Sequence, residues 1–314
     1  MRLNTRIIVH IMGLLMLCNG SFMLLAAFVS GIYKDGATLD ITLAAVVTML
    51  VGVMAMFYTR DHKKEVKRKE GYIVVTFGWI IMSISGALPY LFSGAIPSVT
   101  DAFFETISGY TTTGASILDN IEAMPEGILL WRSLTHWIGG MGIIVLAIAI
   151  LPLLGIGGMQ LFSAEAPGPG GDKLHPRITD TAKRLWLIYF GYTVAETILL
   201  KLAGMSFFDA INHSLATLST GGFSTKNASL AYWNNQPLVQ YITILFMFLA
   251  GSNFVLSYFA FTGKVQRIIK DEEFKYYTGF IILFTIVAAI VVFFRANVPV
   301  SDFHPMVLGT GESA

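Results

Sequence analysis

The sequence predicts an all-α integral membrane protein in which two extra transmembrane helices precede repeated units of helix, re-entrant loop and helix. Three observations favour this fold class: an apolar composition, seven stretches long enough to cross a bilayer, and one internal repeat. Of the 314 residues, 54% are apolar and 13% are charged, whereas soluble domains are about 25% charged. The net charge of +1 would not attract a polyanion. The composition therefore argues against a soluble domain, a disordered chain and a nucleic-acid-binding protein.

Seven apolar stretches are long enough to form transmembrane helices, each of which needs about 20 residues. They are Ile7–Val29, Ile41–Tyr58, Tyr72–Ser93, Ile128–Leu151, Leu185–Gly204, Leu238–Thr262 and Tyr276–Phe294. The first stretch lacks a signal-peptide cleavage motif, so we expect it to be retained. The single cysteine, Cys18, lies inside it and cannot form an intrachain disulfide.

The distribution of Lys and Arg predicts the orientation, because cytoplasmic loops of membrane proteins are enriched in these residues. With the N-terminus in the cytoplasm and every span crossing the bilayer, most of the 21 Lys and Arg residues lie on the cytoplasmic side. The densest group runs from Arg60 to Lys69, and we interpret it as a juxtamembrane anchor rather than a nucleic-acid patch. The exceptions are Lys34, Arg132, Lys201, Lys226 and Arg295. We therefore expect a multi-pass protein in the lipid bilayer with a cytoplasmic N-terminus.

Two connections on the outer side repeat each other. DAFFETISGYTTTGAS spans residues 101–116, and DAINHSLATLSTGGFS spans residues 209–224, so the two align without a gap at an offset of 108 positions. Asp101 and Asp209 are the predicted N-caps of two short helices. Each helix would be about half a bilayer long. We therefore expect each to enter the membrane from outside and to stop partway, as the helix of a pore loop does.

The segments TTTGA and STGGF follow these short helices. Irregular backbone inside a membrane is tolerated only where protein buries it or water reaches it. Carbonyl oxygens directed at one axis replace the hydration shell of a monovalent cation, and the C-terminus of a half-helix adds partial negative charge. Neither segment contains Asp or Glu. The pattern predicts repeated helix–pore-loop–helix units of potassium-channel type, lined by backbone carbonyls.

Three segments resemble sequences of the TrkH/TrkG branch of the bacterial Trk/Ktr potassium-uptake family. Two are long, Trp131–Phe162 and Ala164–Tyr189, and the third is the short filter-like segment Ser219–Thr225. The resemblance covers nearly the whole chain. It implies potassium uptake across the bacterial inner membrane through one pore built from four units. It places the K⁺ ligands at the backbone carbonyls of Thr111, Thr112, Thr113, Gly114, Ser219, Thr220, Gly221 and Gly222.

The same resemblance implies partners. It implies a homodimer and a cytosolic nucleotide-binding regulatory subunit of the TrkA type, with no cofactor apart from the transported K⁺. The subunit would dock near Pro152–Arg184 and Gly263–Lys275. No nucleic-acid partner is expected.

We divide the chain into four segments on this basis. Residues 1–70 hold the two N-terminal helices and the basic loop, residues 71–184 the first unit, residues 185–275 the second, and residues 276–314 an incomplete third. The third unit reaches Asp302 and Phe303, where a pore helix should begin, but no third Thr-Gly filter follows. We interpret the chain as truncated. The alternative is that two chains supply four filter segments between them.

Other functions stay open at this stage. The chain could be a membrane fragment or a regulatory or packing subunit that does not transport, or a cation-coupled secondary transporter. An enzyme is not expected, because the sequence contains no HExxH, GxSxG or CxxC motif. The PGPGGD turn in the Ser163–Asp180 loop lacks the remainder of a phosphate-binding loop.

Several polar residues and glycines fall inside the predicted spans. We expect Arg132 and Lys201 to extend to the interface, with an Arg132–Glu196 pair as the alternative. His136 and Trp137 are predicted to pack rather than to relay protons.

Glycines predict two further features of these spans. Gly139, Gly140 and Gly142 are predicted to pack against a pore helix. The Gly251–Ser252 pair before Asn253 predicts a kink.

Overall fold

The protein is all-helical in the residues that the structure describes. This structure is a computed structural model, and it describes residues 3–60, 68–140, 142 and 178–295. Its α-helices, in chain order, are α1 Thr5–Tyr33, α2 Thr38–Tyr58, α3 Arg68–Gly86, α4 Leu88–Phe92, α5 Val99–Tyr110, α6 Glu126–Gly140, α7 Ile178–Leu202, α8 Phe207–Leu218, α9 Pro237–Gly251, α10 Phe254–Phe261, α11 Val265–Lys270 and α12 Glu272–Arg295. Two short 3₁₀ helices, Ile121–Ala123 and Ser229–Trp233, follow the two predicted filter segments.

Within the part of the chain that the structure describes, five helices are long and apolar enough to cross a membrane, which confirms five of the seven predicted spans. They are α1, α2, α3 joined to α4 over Glu70–Phe92, α7 over Lys183–Leu202, and α12 over Glu272–Phe294. Helix α9 is apolar but shorter. The predicted span Ile128–Leu151 coincides with α6 in its first half, and residues 141 and 143–151 lie outside the described residues. The PGPGGD turn and the predicted third pore-helix start at Asp302 also lie outside them.

The predicted kink in the sixth span is present as a break between α9 and α10. Ser252 leaves the helix with an extended backbone (φ −83°, ψ 156°). A helix end leaves its last carbonyls without intrahelical donors. The hydroxyl of Tyr277 on α12 donates to the carbonyl of Phe248 at 3.0 Å, so α12 supplies one missing donor and covers the break.

The two N-terminal helices pack against each other through glycine. A Cβ on Gly13 would lie 2.7 Å from the carbonyl oxygen of Gly52, and a Cβ on Gly52 would lie 2.7 Å from that of Gly13. Small residues at a crossing let two membrane helices approach closely. The crossing of α1 and α2 therefore depends on the absence of side chains at these two positions.

Helix α1 also holds the first short helix in place. The buried Asn19 donates through Nδ2 to Ser85 Oγ at 2.9 Å, and its Oδ1 accepts from the Tyr110 hydroxyl at 2.5 Å. These bonds join α1, α3 and α5 around one amide. Just after the C-terminal end of α1, Asp35 Oδ2 accepts from the Gly127 amide at 2.7 Å, at the start of α6. The N-terminal helices are thus part of the scaffold around the first unit.

The predicted N-caps of the two short helices are wrong by three residues. The N-caps are Ser98 for α5 and Ser206 for α8, and each Oγ accepts from the backbone amide of Asp101 or Asp209. The aspartates lie in the first turn, where a negative charge stabilises the exposed amides. A serine followed three residues later by an acidic residue is the capping-box pattern, and it precedes both helices at the same offset.

Candidate functional site

The two predicted filter segments have the same backbone conformation at equivalent positions. Thr112 and Thr220 have φ of 53° and 57°, and Gly114 and Gly222 have φ of 74° and 86°. Threonine is rarely found with positive φ, because its branched Cβ crowds the backbone. Repetition of this strained geometry at an offset of 108 positions shows that the internal repeat is structural.

The hydrogen bonds of the two segments repeat as well. The amides of Thr112 and Thr113 donate to the carbonyls of Gly109 and Ser108 at 3.0 and 2.9 Å. The equivalent amides of Thr220 and Gly221 donate to the carbonyls of Thr217 and Ala216, at 2.9 Å in both cases.

The direction of these amides fixes the direction of nearby carbonyls. In a planar trans peptide the carbonyl points opposite to the amide N–H. The amides of Thr112 and Thr113 point back at the end of α5, so the carbonyls of Thr111 and Thr112 point away from it. The same holds for Ser219 and Thr220 at the end of α8. Four carbonyl oxygens, two in each segment, therefore point away from the ends of the short helices.

The structure brings the two segments against each other. A Cβ on Gly114 would overlap the carbonyl oxygen of Gly221, and a Cβ on Gly221 would overlap the imidazole of His136 on α6. The second segment therefore lies between the first segment and α6. Thr111, Thr113, Thr220 and Gly222 are exposed, whereas Ser219 and Gly221 are buried.

Glycines of α6 pack against both short helices, as predicted. A Cβ on Gly139 would overlap the carbonyl of Tyr110, the last residue of α5. A Cβ on Gly140 would lie 2.5 Å from the Cα of Ser219, just after α8. Helix α6 therefore touches the last residue of α5, just before the first segment, and the first residue of the second segment. Gly142 is described by its backbone alone, with φ of 66°.

The expectation for Arg132 is wrong, in position and in partner. Arg132 does not extend to the interface, since its side chain is 3% exposed. Its Nε donates to Glu105 Oε1 at 2.6 Å, and its Nη1 donates to the Ser224 carbonyl at 2.9 Å. Glu196 on α7 is buried elsewhere and does not form the proposed pair. A buried guanidinium requires a carboxylate partner, and α5 supplies it.

The two short helices brace the ends of their filter segments from the same position. Glu105 accepts from Ser116 Oγ through Oε1 and from the Ile117 amide through Oε2, both at 3.0 Å. In the second unit the equivalent residue is His213, whose Nε2 lies 3.0 Å from Ser224 Oγ.

The imidazole of His213 has a defined tautomer. Its Nδ1 lies 2.9 Å from the carbonyl of Asp209, which can only accept, so Nδ1 carries the proton and the Ser224 hydroxyl donates to Nε2. Neither Glu105 nor His213 was predicted as a site residue, because their residue types differ between the repeats. The shared offset is the signal that identifies them.

Aromatic contacts complete the wall behind the second segment. The Phe223 ring lies 3.6 Å from the Arg132 guanidinium and 3.8 Å from the His136 ring, with which it is stacked. The Trp137 indole donates to Thr193 Oγ1 at 3.0 Å. The predicted packing of His136 and Trp137 agrees with these contacts. Lys201 is exposed near the end of α7, consistent with an interfacial position.

The ligands available at this site are backbone oxygens. Among the residues that the structure describes, no group of three or more His, Cys, Asp and Glu side chains could hold a metal ion. A site of neutral carbonyls with a helix C-terminus behind each segment suits a monovalent cation. The arrangement fits weak, exchangeable binding rather than a permanent metal centre.

The chain matches a known family along most of its length. A family model described as TrkH, a cation transport protein, matches residues 38–309. The chain is similar to the Trk system potassium uptake protein TrkH of Escherichia coli K12, with 42% identity over 296 residues, covering 93% of this chain and 61% of the relative. It is also similar to the Trk system protein TrkG of the same strain, with 36% identity over 277 residues, covering 87% of this chain and 57% of the relative.

A solved structure agrees with these relatives. The crystal structure of the potassium transporter TrkH from Vibrio parahaemolyticus matches with a TM-score of 0.79 and 38% sequence identity, covering 93% of this chain and 60% of that chain. This chain therefore spans about three fifths of the length of the relatives that it matches.

Proposed function

Because this chain belongs to the TrkH family of cation transport proteins, we propose that it contributes to a potassium uptake pore in the bacterial inner membrane. The observation that carries the proposal is the repeated carbonyl geometry of two adjacent filter segments. Thr111–Gly114 and Ser219–Gly222 supply the K⁺ ligands through their backbone oxygens. Potassium is proposed because the relatives are named as potassium uptake proteins.

The proposed pore needs more ligands than two segments provide, because carbonyls must surround the ion to replace its water. Chain segments beyond the two described units, or a second copy of this chain, supply the remaining filters. The active form is a homodimer regulated by a cytosolic nucleotide-binding subunit of the TrkA type. The "Trk system" names of the relatives support a system of more than one component. Of the proposed docking face, Pro152–Arg184 and Gly263–Lys275, the structure describes residues 178–184 at the start of α7 and all of Gly263–Lys275.

The membrane potential is sufficient to drive uptake through such a pore. Moving one charge across 100 mV releases about 2.3 kcal/mol, and about 1.4 kcal/mol corresponds to a tenfold concentration ratio. Coupling to a second ion is therefore unnecessary for accumulation. A coupled transporter also places ionisable groups at its broken helices, whereas the two filter segments contain only uncharged residues.

Rubidium flux into liposomes tests the proposal directly. Replacement of Gly114 by Ala should abolish flux, because the new Cβ would overlap the Gly221 carbonyl and the alanine would have to adopt φ of 74°. Gly94→Ala is the matched control. Gly94 also has positive φ, 68°, but no atom of the described residues lies within 4 Å of the position that a Cβ would take there.

Flux should persist in the Gly94→Ala protein and disappear in the Gly114→Ala protein. Equal flux in the two variants would remove these segments from the pore. No flux from the inserted, unsubstituted chain would contradict transport by this chain alone and favour the alternative of a non-transporting fragment.

A further inference from the structure

We propose that Arg132 and Glu105 are positioning residues that hold the second filter segment at a fixed distance from the first, and that potassium-over-sodium discrimination depends on them. This inference rests on the proposed function. It concerns two side chains that do not contact the permeating ion. They act through the backbone of the segments that do.

The geometry of the pair links the two units through one guanidinium. Glu105 holds the outer end of the first segment, because its carboxylate accepts from Ser116 Oγ and the Ile117 amide. Arg132 donates to that carboxylate through Nε and to the Ser224 carbonyl through Nη1. Ser224 comes two residues after Gly222. The residues that follow the two segments are therefore linked through two side chains. The Glu105 carboxylate holds the first, and the Arg132 guanidinium joins that carboxylate to the backbone of the second.

The charges of the pair suit a structural connection rather than ion binding. A lone guanidinium beside the pore would repel a permeating cation, and a lone carboxylate would hold it. Because Arg132 and Glu105 are 2.6 Å apart and buried, their charges largely cancel at the distance of the ion. Removal of either partner leaves the other buried and unpaired, which costs more than the pair itself contributes.

The connection exists once in the described residues. His213 occupies the position equivalent to Glu105 and bonds only within its own unit, to Asp209 and Ser224. Phe223 takes the place of Ala115, and its ring supports the guanidinium at 3.6 Å. Selectivity depends on how many carbonyls reach the ion and how firmly they are held. Release of Ser224 would let the second segment move away from the first.

Distances between spin labels on the two outer loops test the connection without requiring transport. Labels are attached at Asp119→Cys and Ala228→Cys, which are exposed positions beyond the two segments, in a Cys18→Ser background. An Asn227→Ala change is included in every sample, because Asn227 Oδ1 accepts from the Ile121 amide at 2.8 Å and is a separate link.

The test variant is Arg132→Met, which keeps an unbranched side chain without charge, and the matched control is Lys201→Met, which removes a different cation of the spans. The distance distribution should stay narrow in the Lys201→Met protein and broaden in the Arg132→Met protein. Arg132→Lys should restore part of the narrow distribution, since one ammonium keeps the charge but not the planar fork. If the Arg132→Met protein does not fold, Glu105→Gln is the second variant. We expect it to broaden the distribution of label distances as well.

Flux separates positioning from general stability. The rubidium-to-sodium flux ratio should fall about tenfold in the Arg132→Met protein, equivalent to ~1.4 kcal/mol, and stay unchanged in the Lys201→Met protein. An unchanged distance distribution in both Arg132→Met and Glu105→Gln overturns the inference, whether or not the chain conducts. An unchanged flux ratio in a conducting Arg132→Met protein overturns it as well. Absence of flux in the unsubstituted chain contradicts transport by this chain alone, and the distances then decide the inference.

Discussion

Strained threonines are the clearest residue-scale feature of the site. Thr112 and Thr220 both have positive φ, a conformation that costs a non-glycine residue about 1–3 kcal/mol. Their amides bond to carbonyls at the end of the preceding helix, so the helix end holds the strained residue in place. The sequence predicted which residues form the segments, but a threonine carries no signal that its φ is positive.

A glycine of α6 provides a residue-scale prediction about packing. Gly139→Ala should destabilise the protein by about 1–3 kcal/mol, the usual cost of overpacking, because the new methyl group would overlap the Tyr110 backbone. Gly191→Ala in α7 is the control, since no described atom lies within 4 Å of its Cβ position. That change should stabilise its helix by about 0.5–1 kcal/mol.

Thermal unfolding in detergent measures both changes. The unfolding midpoint should fall for Gly139→Ala and should stay equal or rise for Gly191→Ala. A fall of the same size in both variants would mean that loss of glycine flexibility, and not the contact with α5, decides the outcome.

The ion pair of Glu105 and Arg132 shows why part of the site could not be predicted from residue types. Both residues are visible in the sequence as charges inside apolar segments. Which carboxylate pairs with the guanidinium depends on how α5 and α6 pack, and the only partner considered from the sequence was Glu196. The pairing of charges on different helices depends on tertiary structure, whereas a predicted filter segment is contiguous in the sequence and its hydrogen bonds are local.

At the scale of elements, the repeat was predicted more accurately than its helix boundaries. The two short helices exist, and each is followed by a predicted filter segment whose hydrogen bonds are the same in both units. Their caps were displaced by three residues because Asp and Ser are both favourable N-caps. The choice between them depends on where the preceding chain turns. The break after Gly251 was predicted, because a Gly-Ser pair weakens a helix locally.

The two caps lead to a comparative prediction. Ser206→Ala should cost about 1 kcal/mol, because Ser206 Oγ accepts from the Asp209 amide at 2.9 Å and donates to Asp209 Oδ2 at 2.7 Å. Ser98→Ala should cost less, because the equivalent bond to the Asp101 amide is 3.4 Å long. Hydrogen exchange should therefore accelerate more in the first turn of α8 than in that of α5. Equal acceleration would show that bond length does not rank the two caps.

At the scale of the whole molecule, hydropathy predicted the class of protein and most of its spans, because the bilayer requires long apolar helices. It did not predict how the N-terminal helices join the rest. Asn19 and Asp35 connect α1 to α5 and α6, although hydropathy presents α1 and α2 as an addition before the first unit. Asn19 is a single polar residue within a long apolar segment, and Asp35 lies in the turn that follows it. Composition cannot assign the partners of either.

The orientation of the molecule is the prediction that concerns the whole chain. The basic residues from Arg60 to Lys69 and those around α11 should remain in the cytoplasm, because Lys and Arg in short loops set the direction of insertion. Two cysteines introduced singly into a Cys18→Ser background measure the orientation. They are Asp119→Cys, after the first filter segment, and Gln266→Cys in α11, both at exposed positions that we expect on opposite sides of the membrane. A membrane-impermeant maleimide applied to intact cells should label the first and should reach the second only after permeabilisation. The reverse result would place the mouths of both filter segments on the cytoplasmic side. The short helices would then enter from the cytoplasm, and the charge bias would have failed to determine the topology.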